Sequence, residues 1–230
     1  MDIETLEKEN KAYQKQDSYK LEMLLKLASH YDKTDPDKCI EICRQAADLA
    51  KMLELPVMLA KVYFNEAAAH KNKGDFDTAV SFAVKAIAVN FDNGNESETA
   101  YCNLELGDIY RMKSDFEKSK ECLDKALEIF EKLEDRTGIA RAYSLLGNIY
   151  LIRSDFSRSV EFYEKALMIL ERIGDHRRMA GTLSNLGGVY YFTGDYPKAI
   201  EQFQKALTIN EKEGNKLWML ANLGNSGNIY

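Results

Sequence analysis

Apolar side chains recur at intervals of three and four residues along most of the chain. Tyr143, Leu146, Ile149 and Tyr150, for example, fall on one side of a helix, and a second apolar stripe follows at 160–170. This spacing is typical of amphipathic α-helices. The short polar stretches between the stripes predict turns, so the pattern indicates helices arranged in pairs.

The same pattern returns every 40 residues. Small residues are each followed by a ring three positions later, in the pairs Ala67 and His70, Gly107 and Tyr110, Gly147 and Tyr150, Gly187 and Tyr190, and Gly227 and Tyr230. A Lys-Ala triplet ending in Leu or Ile recurs at 85–87, 125–127, 165–167 and 205–207. Several columns at one interval identify an internal repeat.

The turns carry helix-start signals at the same interval. The aspartates are Asp75, Asp115, Asp155 and Asp195. An aspartate in this position caps the next helix by accepting hydrogen bonds from its free backbone N–H groups. Pro36 and Pro197 fit a first helical turn, where a missing N–H costs nothing. Glycines near 94, 174 and 214 suit helix ends, which often need a left-handed residue.

The small and aromatic columns resemble the tetratricopeptide repeat. The motif is matched at Leu146-Gly147, Tyr150, Ser159, Tyr163 and Ala166, and again at Leu186-Gly187, Tyr190, Ala199, Phe203 and Ala206. The resemblance covers roughly residues 20–230. An interval of 40 rather than 34 is similar to the long-repeat arrays of kinesin light chains, G-protein-signalling modulators and bacterial sensor proteins.

The resemblance implies an all-α fold, a right-handed α-solenoid of stacked antiparallel helix pairs. Stacking is required because no single pair can bury its apolar stripe alone. The expected repeats are 20–59, 60–99, 100–139, 140–179 and 180–219, with a partial repeat at 220–230. The polar segment 1–19 is expected to form a capping helix, spanning about 3–16, with a break near Asp17.

Composition excludes several classes of function. The net charge is -6 with acidic and basic residues interspersed, which argues against a nucleic-acid partner. No apolar run approaches the length of a membrane span. The opening MDIETLEKEN has no secretory signal, so a cytoplasmic location is the default expectation.

The sequence contains no recognisable catalytic or cofactor motif, so we expect neither an enzyme nor a bound cofactor. His70 stands in the tyrosine column and is interpreted as a packed ring. Cys39 and Cys43 have the i, i+4 spacing of a metal pair, but no third ligand lies near them in the sequence. They are therefore interpreted as core residues, and no metal is expected.

The candidate binding surface is the concave side, which the first helix of each pair is expected to line. Helical offsets from the packing Gly and Tyr select mostly polar residues. These are Lys61, Asn65, Lys71, Tyr101, Glu105, Asp108, Arg141, Ser144, Asn148, Ser184, Asn185, Tyr191, Asn225 and Asn228. Their charges are mixed, without the basic cluster that would bind a terminal carboxylate.

Asparagine recurs in this set. An amide both donates and accepts hydrogen bonds, so a row of amides suits the backbone of an extended peptide. Family members with Asn rows in their grooves use them in this way. The alternative is that these residues are simply neutral polar groups on a hydrated surface.

Three functional hypotheses follow. The first is a non-enzymatic scaffold that binds a peptide or a partner segment in its groove. The second is the N-terminal sensory or dimerisation arm of a larger signalling enzyme, a kinase or cyclase, truncated at 230. The third is self-association through an unfinished last helix at about 217–230, which carries Leu217, Trp218 and Leu220.

Overall fold

The computed structural model describes residues 2–213, and this part of the chain consists of eleven α-helices and short connections. The helices are α1 (Ile3–Ala12), α2 (Ser18–Thr34), α3 (Pro36–Met52), α4 (Pro56–Asn72), α5 (Phe76–Asp92), α6 (Glu96–Met112), α7 (Phe116–Lys132), α8 (Arg136–Ile152), α9 (Phe156–Ile173), α10 (His176–Phe192) and α11 (Tyr196–Lys212). The fold class is the predicted one, all-α with paired helices. The even-numbered helices from α2 to α10 are the first helices of the pairs, and the odd-numbered ones from α3 to α11 are the second.

The helix starts confirm the predicted caps. The carboxylates of Asp75, Asp115, Asp155 and Asp195 each accept a hydrogen bond from the backbone N–H three residues later. Pro36 and Pro197 lie in the first turns of α3 and α11. Each cap satisfies a backbone donor that the helix itself leaves free, so the boundaries follow from local chemistry.

The left-handed residue predicted after the second helices is present at two of the predicted glycines, and Gly214 lies outside the described residues. Gly94 and Gly174 have φ values of 68° and 70°. Glu134 takes the same conformation, with φ 54°, in the repeat between them. A side chain in this region costs about 1 kcal/mol, so the turn geometry is kept there despite an unfavourable residue.

The chain divides into two compact units, one ending at Ile129 and the other beginning at Phe130. In the first unit α2 packs on α3, α3 on α4, α4 on α5 and α5 on α6, and α2 and α6 both contact α4 as well. In the second unit each helix from α8 to α11 packs on the next one, and α8 contacts α10. First helices therefore lie beside first helices within each unit.

Glycine permits the close approach within a pair. A Cβ added at Gly147 would lie 2.6 Å from the Tyr163 ring, and one added at Gly187 would lie 2.7 Å from the Phe203 ring. These distances are too short for a real Cβ, so the glycine column is required by packing. Ser159 Oγ donates to the carbonyl oxygen of Gly147 at 2.9 Å, which explains why a small hydroxyl residue fits this column.

The amino-terminal helix is shorter than expected. Helix α1 ends at Ala12, whereas the sequence predicted a helix to about 16. Asp17 caps α2, in agreement with the predicted break. The assignment of 1–19 to a cap and of 20–230 to the array stays a prediction, and the expected last helix at 217–230 lies outside the described residues.

Within residues 2–213, no helix has the combination of length and apolar composition that a membrane crossing needs.

One position of the core replaces leucine by an acid. Leu146 and Leu186 are 3% and 4% exposed, and Glu66, which holds the same place in its repeat, is 8% exposed. Burial raises the pKa of Glu66 to about 7, although Lys85 on α5 and Arg44 and Lys51 on α3 oppose the shift. The charged form of the Glu66 carboxyl group therefore destabilises the folded state.

We expect Glu66→Gln to remove a pH dependence of stability. The unfolded side chain ionises near pH 4.5 and the folded one near 7. As the pH rises between these values, the unfolded state releases its proton before the folded state does. The contribution of Glu66 to the free energy of unfolding is therefore complete below pH 4.5 and falls by about 3 kcal/mol as the pH rises to 7. Urea unfolding at several pH values measures it.

The matched control is Glu41→Gln, because Glu41 is an exposed acid on α3. The difference in unfolding free energy between wild type and the Glu66→Gln variant should change across this pH window, and that for Glu41→Gln should stay constant. A constant difference for Glu66→Gln would show that the folded carboxyl ionises normally.

Candidate functional site

The described candidate groove residues lie on four first helices. Lys61, Asn65 and Lys71 are on α4, and Tyr101, Glu105 and Asp108 are on α6; together they define the α4–α6 surface. Arg141, Ser144 and Asn148 are on α8, and Ser184, Asn185 and Tyr191 are on α10; these define the α8–α10 surface. Asn225 and Asn228 lie outside the described residues.

The α4–α6 surface is dominated by one ion network. Lys71 Nζ lies 2.7 Å from Glu105 Oε1 and 2.9 Å from Asp108 Oδ2. The Arg111 guanidinium donates to Asp108 Oδ1 from two nitrogen atoms, at 2.7 and 2.9 Å. Two cations thus pair with two carboxylates on adjacent first helices.

The network is shielded from water, which strengthens its charge pairing. The Lys71 and Glu105 side chains are 13% and 9% exposed. Burial favours neutral forms, but Glu105 and Asp108 still raise the pKa of Lys71 above its usual value. Against the same burial, Lys71 and Arg111 lower the pKa of Asp108. Lys71 and Asp108 therefore stay charged at neutral pH.

The other three residues of this surface differ from one another. Lys61 is exposed, Tyr101 is half-buried, and Asn65 is buried at 9% exposure. The backbone carbonyl of Asn65 faces the Cys39 thiol, with Sγ at 3.9 Å. Asn65 is thus held close to the core beneath the surface that the sequence assigned to it.

The α8–α10 surface centres on two amides. Asn148 Oδ1 accepts a hydrogen bond from Asn185 Nδ2 at 3.1 Å and another from the Tyr163 hydroxyl at 2.5 Å. Nearby, Ser144 Oγ lies 3.2 Å from Thr182 Oγ1. Two polar contacts therefore join α8 to α10 on this surface.

The amide pair has one donor and one acceptor left over. Among residues 2–213, Asn148 Nδ2 and Asn185 Oδ1 make no hydrogen bond. Asn185 is exposed and Asn148 is half-buried, so water reaches both side chains. An adjacent N–H donor and C=O acceptor complement the two polar groups of a peptide backbone.

The remaining residues of this surface have other surroundings. Ser184 Oγ donates to the Ala180 carbonyl oxygen at 2.9 Å, within its own helix. Tyr191, near the end of α10, packs its ring against Phe192 and Tyr196. Arg141 is half-buried on α8. The structure therefore groups Ser144, Asn148 and Asn185, and places Tyr191 in a separate aromatic cluster.

Sequence reasoning missed three residues of these networks. Arg111 stands 40 residues after Lys71, which was selected, so the same repeat interval could have selected Arg111. Thr182 replaces small apolar residues in its column, which is a weaker signal. Tyr163 was interpreted only as a packing ring. Its hydroxyl contact with Asn148 depends on how far the ring extends past Gly147, which the sequence does not show.

His70 and the two cysteines are packed side chains, as the sequence indicated. His70 stacks on Phe82, with ring centroids 5.6 Å apart. Cys39 and Cys43 are buried free thiols. Among residues 2–213, no group of three His, Cys, Asp or Glu side chains has a geometry that could hold a metal ion.

We expect Lys71→Met to destabilise the first unit. The substitution leaves Glu105 without its cation and Asp108 with only Arg111, and breaking a buried ion pair costs about 3 to 5 kcal/mol. Lys61→Met is the matched control, because Lys61 is exposed on the same helix and should change the stability by less than about 0.5 kcal/mol. Urea unfolding of both variants measures the difference, and equal losses would contradict the assigned network.

Comparison with known proteins identifies the repeat. The profile of the tetratricopeptide repeat family matches residues 96–172 and 178–230, and a second profile with the same description matches residues 60–93. No curated protein matches the chain. The crystal structure of BtubC (BKLC) from P. vanneervenii is similar at 27% identity and a TM-score of 0.71, over 86% of this chain and 82% of that one.

Two other solved structures show the same fold at lower identity. A Rap protein complexed with Competence and Sporulation Factor is 16% identical, with a TM-score of 0.79, over 87% of this chain and 57% of that one. A Signal Transduction ATPase with Numerous Domains from Pyrococcus horikoshii, which has a tetratricopeptide repeat sensor, is 18% identical, with a TM-score of 0.69, over 98% of this chain and 38% of that one. The period, the packing columns and the matching profiles agree, and the chain belongs to the tetratricopeptide repeat family.

Proposed function

We propose that this protein is a non-enzymatic interaction scaffold that binds an extended peptide or partner segment on its first helices. The observation that carries the proposal is the Asn148–Asn185 pair, with its free donor and free acceptor. Stacked repeats bury their apolar stripes against each other and leave one side of the first helices for binding. The family assignment supports this general role.

The pair suits one peptide group of an extended segment. Asn148 Nδ2 donates to the carbonyl oxygen of the segment, and Asn185 Oδ1 accepts from an N–H. Each such bond contributes about 0.5 to 1.5 kcal/mol, because water is displaced on both sides. Neither bond depends on the side chains of the segment, so specificity comes from the neighbouring residues.

The α4–α6 surface supports the proposal less directly. Its carboxylates are already paired with Lys71 and Arg111. A ligand that bound them would have to displace a buried cation, which is costly. Lys61 and Tyr101 remain proposed contacts on this surface, as do Arg141, Ser184 and Tyr191 on the other, and Asn225 and Asn228 remain predictions.

The similar structures add support from outside the chain. The Rap protein was crystallised in complex with Competence and Sporulation Factor. This chain spans 57% of that protein, so the role transferred here is limited to segment binding by the repeats.

A second candidate function is a sensor arm of a larger signalling protein. The Pyrococcus protein carries such repeats as a sensor, and this chain spans 38% of the length of that protein. The coding sequence of the parent gene tests this candidate: a kinase or cyclase domain in the same reading frame would support it, and a stop codon after Tyr230 would exclude it.

We expect Asn148→Ala to weaken peptide binding about tenfold. The probe is the tightest binder selected by the wild-type protein from a phage-displayed library of random twelve-residue peptides. Loss of a donor bond and of the support that Asn148 gives to Asn185 together correspond to about 1.4 kcal/mol. Fluorescence anisotropy with the labelled peptide measures the dissociation constant.

Gln204→Ala is the matched control, because Gln204 is an exposed amide on α11, a second helix. It should leave the dissociation constant unchanged. Failure to select any peptide, or equal affinity of the Asn148→Ala variant and wild type, would contradict the proposed site.

A further inference from the structure

Tyr163 belongs to a second helix, yet its hydroxyl reaches the binding surface. The residue lies on α9 and has 0% exposure. Its hydroxyl oxygen is 2.5 Å from Asn148 Oδ1, on the neighbouring helix α8. One buried ring thus connects the core of the pair to the amide on its surface.

Gly147 provides the space for this connection. A Cβ at position 147 would lie 2.6 Å from Cε1 and 3.0 Å from Cζ of the Tyr163 ring. Because glycine has no Cβ, the ring passes beside residue 147 and its hydroxyl arrives at residue 148. The small residue that allows the helices to pack also gives the phenol access to the surface.

The hydrogen bond determines which end of the Asn148 amide is free. A tyrosine hydroxyl donates its proton at neutral pH, and an amide nitrogen cannot accept it. Asn185 Nδ2 donates to the same oxygen. Because two donors converge on Oδ1, the Asn148 Nδ2 points away from them. In this orientation Nδ2 is available to a ligand.

The hydroxyl and the amide occur together in one described repeat. At the position of Tyr163, the repeats before and after it have Leu123 and Phe203. At the position of Asn148, the same repeats have Asp108 and Gly188. Packing against glycine needs only a ring or a branched chain, as Phe203 shows beside Gly187. The hydroxyl therefore has a role apart from filling space.

We propose that Tyr163 is a positioning residue, which orients the Asn148 amide so that its N–H groups face the bound segment. The inference rests on the proposed function of the Asn148–Asn185 pair. It also assigns a chemistry to the subsite: position 148 binds a carbonyl oxygen of the partner, and Asn185 binds an N–H.

The test is Tyr163→Phe. Phenylalanine is compatible with this packing, because Phe203 fills the same place in the next repeat, so the variant should fold with an unchanged circular dichroism spectrum. Without the hydroxyl the Asn148 amide populates both orientations. We expect the dissociation constant for the selected twelve-residue peptide to rise about threefold to tenfold, because only part of the population is competent to bind.

A double-mutant cycle separates positioning from general packing. In the Asn148→Ala background, Tyr163→Phe should change the dissociation constant by less than about twofold, because the group it orients is gone. An equal effect in both backgrounds would overturn the inference. Tyr190→Phe is the matched control and should bind like wild type, because Tyr190 is a half-buried tyrosine on α10.

Nuclear magnetic resonance of the free protein tests the hydrogen bond without any peptide. The side-chain amide signals of Asn148, identified by their loss in Asn148→Ala, should shift in Tyr163→Phe, and those of Gln204 should not. Unmoved Asn148 signals would overturn the positioning role even if peptides bind. Conversely, absence of any binding peptide would overturn the proposed function and leave the hydrogen bond established.

Discussion

The close contact between a glycine on a first helix and a ring on its partner sets the geometry of each pair in which it occurs. At Gly147 and Gly187 a Cβ would lie only 2.6 and 2.7 Å from the partner ring, so a larger residue would require the ring or its helix to shift. This contact fixes both the separation and the rotation of the two helices. The rotation then decides which residues of the first helix face away from the core, so the proposed binding surface is a consequence of the packing.

The same framework presents different chemistry on the two surfaces. Glu105 and Asp108 hold the places that Asn185 and Asn148 hold in later repeats, as the interval shows. On the α4–α6 surface the carboxylates pair with Lys71 and Arg111 in a network that joins the two helices. On the α8–α10 surface the amides bond to each other and to Tyr163, and still have a donor and an acceptor to spare.

Much of the fold could be predicted from the sequence because its determinants are local or periodic. A capping aspartate acts within three residues, and the Gly147 column repeats at a constant interval, so both are visible in one chain. Helical offsets also selected both Asn148 and Asn185 for the candidate surface, and the structure brings their side chains together at 3.1 Å. The ion network could not be derived in the same way, because the reach of the Lys71 side chain decides which carboxylate it meets. The burial of Asn65 and the separate packing of Tyr191 likewise depend on neighbours outside their own columns.

The difference between ions and amides explains why we propose the α8–α10 surface, rather than the α4–α6 surface, for reversible binding. A buried carboxylate that exchanges Lys71 for a ligand must lose one strong partner before it gains another, and its charge must be balanced throughout. An amide with a free donor or acceptor exchanges only water for the ligand, at a small cost in free energy for both binding and release. Such a site contributes only a small part of the affinity for a bound segment. A fixed orientation of the amide then matters more than charge. An amide that rotates freely must be ordered when the ligand binds, and this cost reduces its small contribution to the binding free energy. In this protein the Tyr163 hydroxyl supplies that orientation from the core, where solvent does not compete for its proton.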